Sequence, residues 1–176
     1  MTTEIRGGAE RDRVLDRFRD RLDDFDVSHT TVAPGGVSDA VRAVVEPPAV
    51  GVSLPEGRGE LPSGVPTEWS PADLRGAATG VTPASLGIAD YGSLVLPTTA
   101  DGVEPVSLFA ERHVAVVGAD DVVGGMADAL THLGDRFRAD RESVIVATGP
   151  SATADMGALV QGAHGPKAVH AIIVQS

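Results

Sequence analysis

Ser143-Val-Ile-Val-Ala-Thr148 followed by Gly149-Pro-Ser-Ala-Thr-Ala-Asp155, and Gly162-Ala-His-Gly-Pro-Lys167 running into Ala168-Val-His-Ala-Ile-Ile-Val174, decide the fold class. The two apolar, β-branched runs read as strands, and the stretch between the polar Gly/Pro loops reads as a short helix. Strand, loop, helix, loop and strand form a crossover unit, the connection that parallel strands require. In open α/β sheets ligands lie where loops leave the carboxyl ends of strands, so the loop that begins at Gly149 is the first candidate site.

Working outward, His113-Val-Ala-Val-Val-Gly118, Ala77 to Ala84 and Gly92 to Pro97 read as further strands, with a helix expected from about Val122 to Leu133. Ala49 to Ser53 is another strand. It follows a short helix, Asp39 to Val45, that Ser38 can cap and Pro47-Pro48 ends. Ser70-Pro71-Ala-Asp73 combines an N-cap, a Pro at the first helical position and an acidic first turn, with Trp69 placed as a hydrophobic staple and packing anchor. Val14, Leu15, Phe18, Leu22 and Phe25 recur at spacings of three and four, so residues 1–27 hold an amphipathic helix with a solvated Arg/Asp face. Between Leu54 and Pro66 Gly and Pro are frequent and periodicity is lost; a surface loop without functional role is expected. The alternation of strands and helices predicts one α/β domain spanning 1–176, with a mainly parallel sheet covered by helices on both faces.

A chain of 176 residues with 42% hydrophobic content can build one sizeable core. It contains no cysteine, so disulfides, thiolate metal sites and a protein-ligated iron–sulfur cluster are excluded, and any redox centre must belong to a partner. The densely charged N-terminus lacks the apolar core of a signal peptide, and a cytoplasmic location is expected. A net charge of -11 argues against nucleic acid and anionic membranes as partners. Asp outnumbers Glu, Arg is nearly the sole cation and aromatics are 3%, a texture like that of halophilic proteins. At molar salt the Debye length falls to about 3 Å and carboxylate repulsion is screened. Melting temperature should therefore rise substantially from low to molar potassium chloride, and a flat or falling curve would remove the halophilic reading.

The segment from Gly149 to Asp155 has a mechanism for binding: backbone N–H groups at a helix start, with the Ser151 and Thr153 hydroxyls, form a concave donor set for a carboxylate or phosphate. Read without a ligand, Ser151, Thr153 or Asp155 caps the following helix. His164 and Lys167 are the nearby cations, with Gly165 between them, and Lys167 is the single lysine of the chain. Asp90, with Gly92 and Ser93 after it, sits in a turn where a carboxylate can act as base, acceptor or turn former. The remaining histidines lack metal-ligand spacing, and no glycine fingerprint for a flavin, nicotinamide or nucleoside triphosphate is present.

Gly87-Ile-Ala-Asp-Tyr-Gly-Ser-Leu-Val-Leu96, Gly149-Pro-Ser-Ala-Thr-Ala-Asp155 and Gly162-Ala-His-Gly-Pro166 together resemble the LUD domain of the lactate utilisation protein C family in order and spacing. Two departures stand out: Asp90-Tyr91 replaces the usual Glu-Thr, and Asp155-Met156-Gly157 replaces Asp-Ile-Glu. The chain is also short for that family, on its N-terminal side. The resemblance implies a three-layer α/β/α fold like that of the ribose-phosphate and glucosamine-phosphate isomerases and the CoA transferases. It further implies a part in oxidising lactate to pyruvate beside iron–sulfur partner subunits, with no cofactor on this chain. An independent enzyme of the transferase or isomerase kind, and a small-anion sensor, are the alternatives.

Overall fold

A computed structural model describes residues 2–140, 143–155, 158–162 and 164–175, with only the backbone described for 2–7, 135–136, 139–140, 153–155 and 158–161. Five helices, α1 (Thr2–Asp24), α2 (Val37–Val44), α3 (Pro71–Gly76), α4 (Val103–Phe109) and α5 (Met126–Asp140), surround two principal sheets. The strands are β1 (Val27–Val32), β2 (Ala49–Gly51), β3 (Thr79–Pro83), β4 (Leu86–Ile88), β5 (Ser93–Pro97), β6 (Arg112–Gly118), β7 (Val122–Val123), β8 (Val144–Thr148), β9 (Ala152–Asp155), β10 (Ala158–Gln161) and β11 (Ala168–Val174). No helix is long and apolar enough to cross a membrane among the described residues.

The central sheet runs β1-β11-β6-β3-β2 and every neighbouring pair is parallel. Its central strands β6 and β11 are mainly apolar and buried on both faces, as a sheet covered on both sides requires, whereas the edge strand β1 is mostly polar. Val114 and Val116 of β6, with Ile172 and Val174 of β11, face Val37 and Val41 of α2. The alternate residues, Ala115, Val117, Ala171 and Ile173, pack with Phe18 and Leu22 of α1, Leu74 of α3 and Val103 and Val106 of α4. The expected three-layer α/β/α arrangement is thus present. Ser70 caps α3 as expected, and Asp73 of the acidic first turn completes a capping box with it. The indole of Trp69 donates to the carbonyl of Gly51 at 2.9 Å, which anchors α3 to β2.

Several expectations need correction. A second sheet, β7-β4-β5-β8, was not foreseen, and β8 belongs to it, antiparallel to β5. Its outer face packs on Ala129 and Leu133 of α5. The stretch between the two Gly/Pro loops is not a helix: β9 and β10 form an antiparallel hairpin. Short runs such as Ala152-Thr-Ala-Asp155 have no periodicity long enough to separate strand from helix, and pairing with each other decides. Helix α5 starts at Met126 rather than Val122, because Val122 and Val123 pair with β4. Helix α2 starts at Val37 without a side-chain cap; Ser38 lies inside it and accepts from Arg42.

Candidate functional site

Strands β2, β3 and β6 end at one edge of the parallel sheet, and beyond their carboxyl ends lies a cavity of about 470 Å³. Its walls are Val52 to Glu56 with Arg58, Pro83 to Ser85, the chain after β5 around Thr99 and Asp101, and Asp121. The segment from Leu54 to Pro66, expected to be a surface loop without function, therefore forms one wall. It is held down by the Gly51 N–H, which donates to the Pro66 carbonyl at 2.9 Å, and by Val65, which is fully buried. Arg58 reaches across to the end of β6 and pairs with Asp121. A Cβ on Gly118 would lie 2.0–2.2 Å from three guanidinium atoms, so the guanidinium stacks directly on the glycine backbone and any side chain there would evict it. Arg58 is the single cation among the described lining residues, set against Glu56, Asp101 and Asp121. The guanidinium has donors left for an incoming carboxylate, and the carboxylates can accept from hydroxyls. Sequence reasoning missed this crevice; its only local signal was Gly118 closing an apolar strand before an Asp pair.

The two loops singled out from the sequence do meet. The Ser151 N–H donates to the Pro166 carbonyl and the Gly162 N–H to the Ser151 carbonyl, both at 2.8 Å. Together they line a second cavity of about 320 Å³, which takes in Gly149, Ser151, His164 and Gly165 from the expected set and adds Thr148 and the unexpected His113. This cavity lies at the amino-terminal edge of the parallel sheet, because Lys167 and Ala168 lead into β11 beside Glu111 and the start of β6. With a hairpin in place of the helix, Ser151 caps nothing, and its hydroxyl has no hydrogen-bond partner among the described residues. The side chains of Thr153 and Asp155 lie outside the described residues.

Other expected residues fall elsewhere. The Lys167 ammonium pairs with Glu111 at 2.9 Å in an adjoining pocket beside Phe109, which shares Leu108, His164 and Gly165 with that cavity. Asp90 pairs with Arg17 of α1 at 3.1 Å, next to Gly124 and Gly125. Gly92 adopts φ +61°, and a Cβ there would meet the Arg21 backbone at 2.8 Å, so glycine is what lets the turn approach α1. Ser93 is buried and its hydroxyl bonds that of Thr148 at 2.6 Å, locking β5 to β8. No cluster of three or more His, Asp or Glu able to hold a metal ion occurs among the described residues.

No curated protein matches the chain. Among solved structures it is similar to a DUF162 family protein from Deinococcus radiodurans, with TM-score 0.71 and 23% identity over 93% of this chain and 98% of that one. At that identity the likeness establishes the fold. The LUD domain profile matches residues 67–174, every element from α3 to β11, and the protein therefore belongs to the LUD domain family.

Proposed function

We propose that this protein is a non-redox accessory subunit of a cytoplasmic lactate-oxidising assembly, similar to lactate utilisation protein C, that holds a small hydroxy- or oxo-acid while iron–sulfur partner subunits carry the electrons. The observation that bears most weight is the crevice at the carboxyl ends of β2, β3 and β6, where Arg58, stacked on Gly118, can take a carboxylate. Neighbouring carboxylates can accept from the ligand's hydroxyl. Family membership supports the lactate context, and the lack of cysteine supports placing the clusters on partners.

Purification from the native cytoplasm in molar salt should bring down iron–sulfur subunits, and the complex should reduce a dye with lactate. The chain alone should be colourless and inactive in the same assay. A bound flavin, or turnover by the chain alone, would overturn this reading. Charge-assisted hydrogen bonds contribute roughly 1.5–3 kcal/mol, so Arg58→Ala should weaken lactate or pyruvate binding by about ten-fold or more in calorimetry. Unchanged affinity would remove the crevice from the proposal. A stand-alone enzyme of the CoA-transferase or sugar-phosphate isomerase kind is the second reading, favoured by the grouping of Glu56, Asp101 and Asp121 around one cavity. Conversion of a CoA ester or phosphosugar by the chain alone would establish it.

A further inference from the structure

Of the three histidines on strands of the parallel sheet, His113 and His170 are buried, and these two differ in one respect. His170 of β11 is buried with both ring nitrogens bonded, Nδ1 to the Ser28 hydroxyl at 2.8 Å and Nε2 to the Thr30 hydroxyl at 3.0 Å. His113 of β6 is only 2% exposed, yet just its Nε2 is bonded, to the Thr82 hydroxyl at 2.8 Å. Its Nδ1 has no partner among the described residues. Among the described residues the one fully buried side-chain atom without a partner is Arg112 Nε, so Nδ1 of His113 is not sealed in but keeps some accessible surface. His113 lines the amino-terminal cavity, so the unmade bond has a place to be made.

The lining of that cavity says what kind of molecule could make it. Leu96, Leu108, Ile145 and Val169 give it apolar walls, and near the Gly165 backbone Ser151 brings a hydroxyl without a hydrogen-bond partner among the described residues. Among the described residues that line it there is no Asp, Glu, Lys or Arg, and His164, exposed at its rim, is the one side chain besides His113 that can take up a proton. Lys167 does not line the cavity and pairs with Glu111 in the adjoining pocket. Burying a full charge without a paired one is costly, so a charged guest is disfavoured. The lining is mixed, with Ser107, Thr148, Ser151 and the two histidines set among the apolar side chains, and a concave site with a few convergent polar groups is the usual form of a small-molecule site.

We propose that this cavity is a second ligand site, distinct from the carboxyl-end crevice, and that it takes an uncharged small molecule with an apolar body and one hydrogen-bonding oxygen, anchored on Nδ1 of His113. Burial holds the imidazole pKa down to about 4, so the ring stays neutral and offers a hydrogen bond rather than an ion pair. Thr82 can either donate to or accept from Nε2, so Nδ1 can accept from an alcohol or donate to a carbonyl. Ser151 supplies the second polar contact.

Benzyl alcohol, benzamide and benzoate share a shape and differ in charge, which makes them suitable probes. Titrated into the full chain with ¹⁵N-labelled histidine, benzyl alcohol and benzamide should shift the His113 Nδ1 resonance in a saturable way. Benzoate should bind at least ten-fold more weakly. His113→Gln should weaken benzyl alcohol binding at least ten-fold in ligand-observed spectra. Ala152→Phe, at the exposed mouth, should abolish binding without lowering the melting temperature. Absence of a saturable shift with either neutral probe, benzoate binding as tightly as benzyl alcohol, or full binding by Ala152→Phe would each overturn the proposal. Should His113→Gln fail to fold, the wild-type resonance and Ala152→Phe decide the matter.

Discussion

Acidification should remove a large part of the stability of this protein between about pH 6.5 and pH 4, before most carboxylates titrate. Burial lowers the pKa of both His113 and His170 to about 4 from an ordinary 6.5; for His170 the nearby charges of His29 and Arg112 act in the same direction. The unfolded chain therefore takes up protons in this window while the folded chain does not, and stability falls with pH. Stability from these groups is fully present above pH 6.5, is lost progressively on the way down, and stops changing below pH 4. At 1.36 kcal/mol per pKa unit the buried His113 alone contributes about 3 kcal/mol. His170 adds to it. That is a substantial share of the roughly 5–15 kcal/mol typical of a domain. Urea unfolding at fixed molar salt over this range should show the midpoint dropping steeply, with a shallower slope in His113→Gln. A flat profile down to about pH 4, or a His113 resonance that titrates near 6.5, would contradict the burial argument.

Phe18→Ala should cost about 3–5 kcal/mol, among the largest effects available to a single substitution here. Phe18 is fully buried on α1 and its ring lies against Gly87 of β4, where a Cβ would come within 2.9 Å of the ring edge. Truncation leaves a void bordered by a residue with no side chain to move into it, so relaxation can recover little. For a chain of this length each kcal/mol is worth roughly 2–4 °C, so the melting temperature should fall by about 10 °C. Gly87→Ala should also destabilise, and combining it with Phe18→Leu should recover part of the loss, since each then makes room for the other. A loss below about 1 kcal/mol for Phe18→Ala would mean that α1 adds little to the core.

What could be read in the sequence was what local pattern controls. The mainly apolar runs at β5, β6 and β11, the stripe from Val14 to Leu22 and the cap at Ser70 all carry their own signal. What could not be read depended on partners remote in sequence. Val144 to Thr148 looks like a strand of any sheet, and only its register with Ser93 to Pro97 assigns it to the second one. The crevice was invisible because Arg58 meets Asp121 across 63 positions, through a stretch with no periodicity. Ser151 and His164 do line one cavity, as their loops suggested, but Lys167 and Asp90 each find a counter-ion that spacing alone could not disclose.

The LUD domain match begins at Thr67, whereas Arg58 and the wall from Val52 to Glu56 come before it. One wall of the crevice, with its single described cation, is thus supplied by a stretch that the shared signature does not constrain. Insertions or exchanges there can redraw what the protein admits while every hallmark of kinship stays intact. Two members with identical signatures can accordingly accept different guests, and ancestry in this lineage is a guide to architecture long before it is a guide to diet.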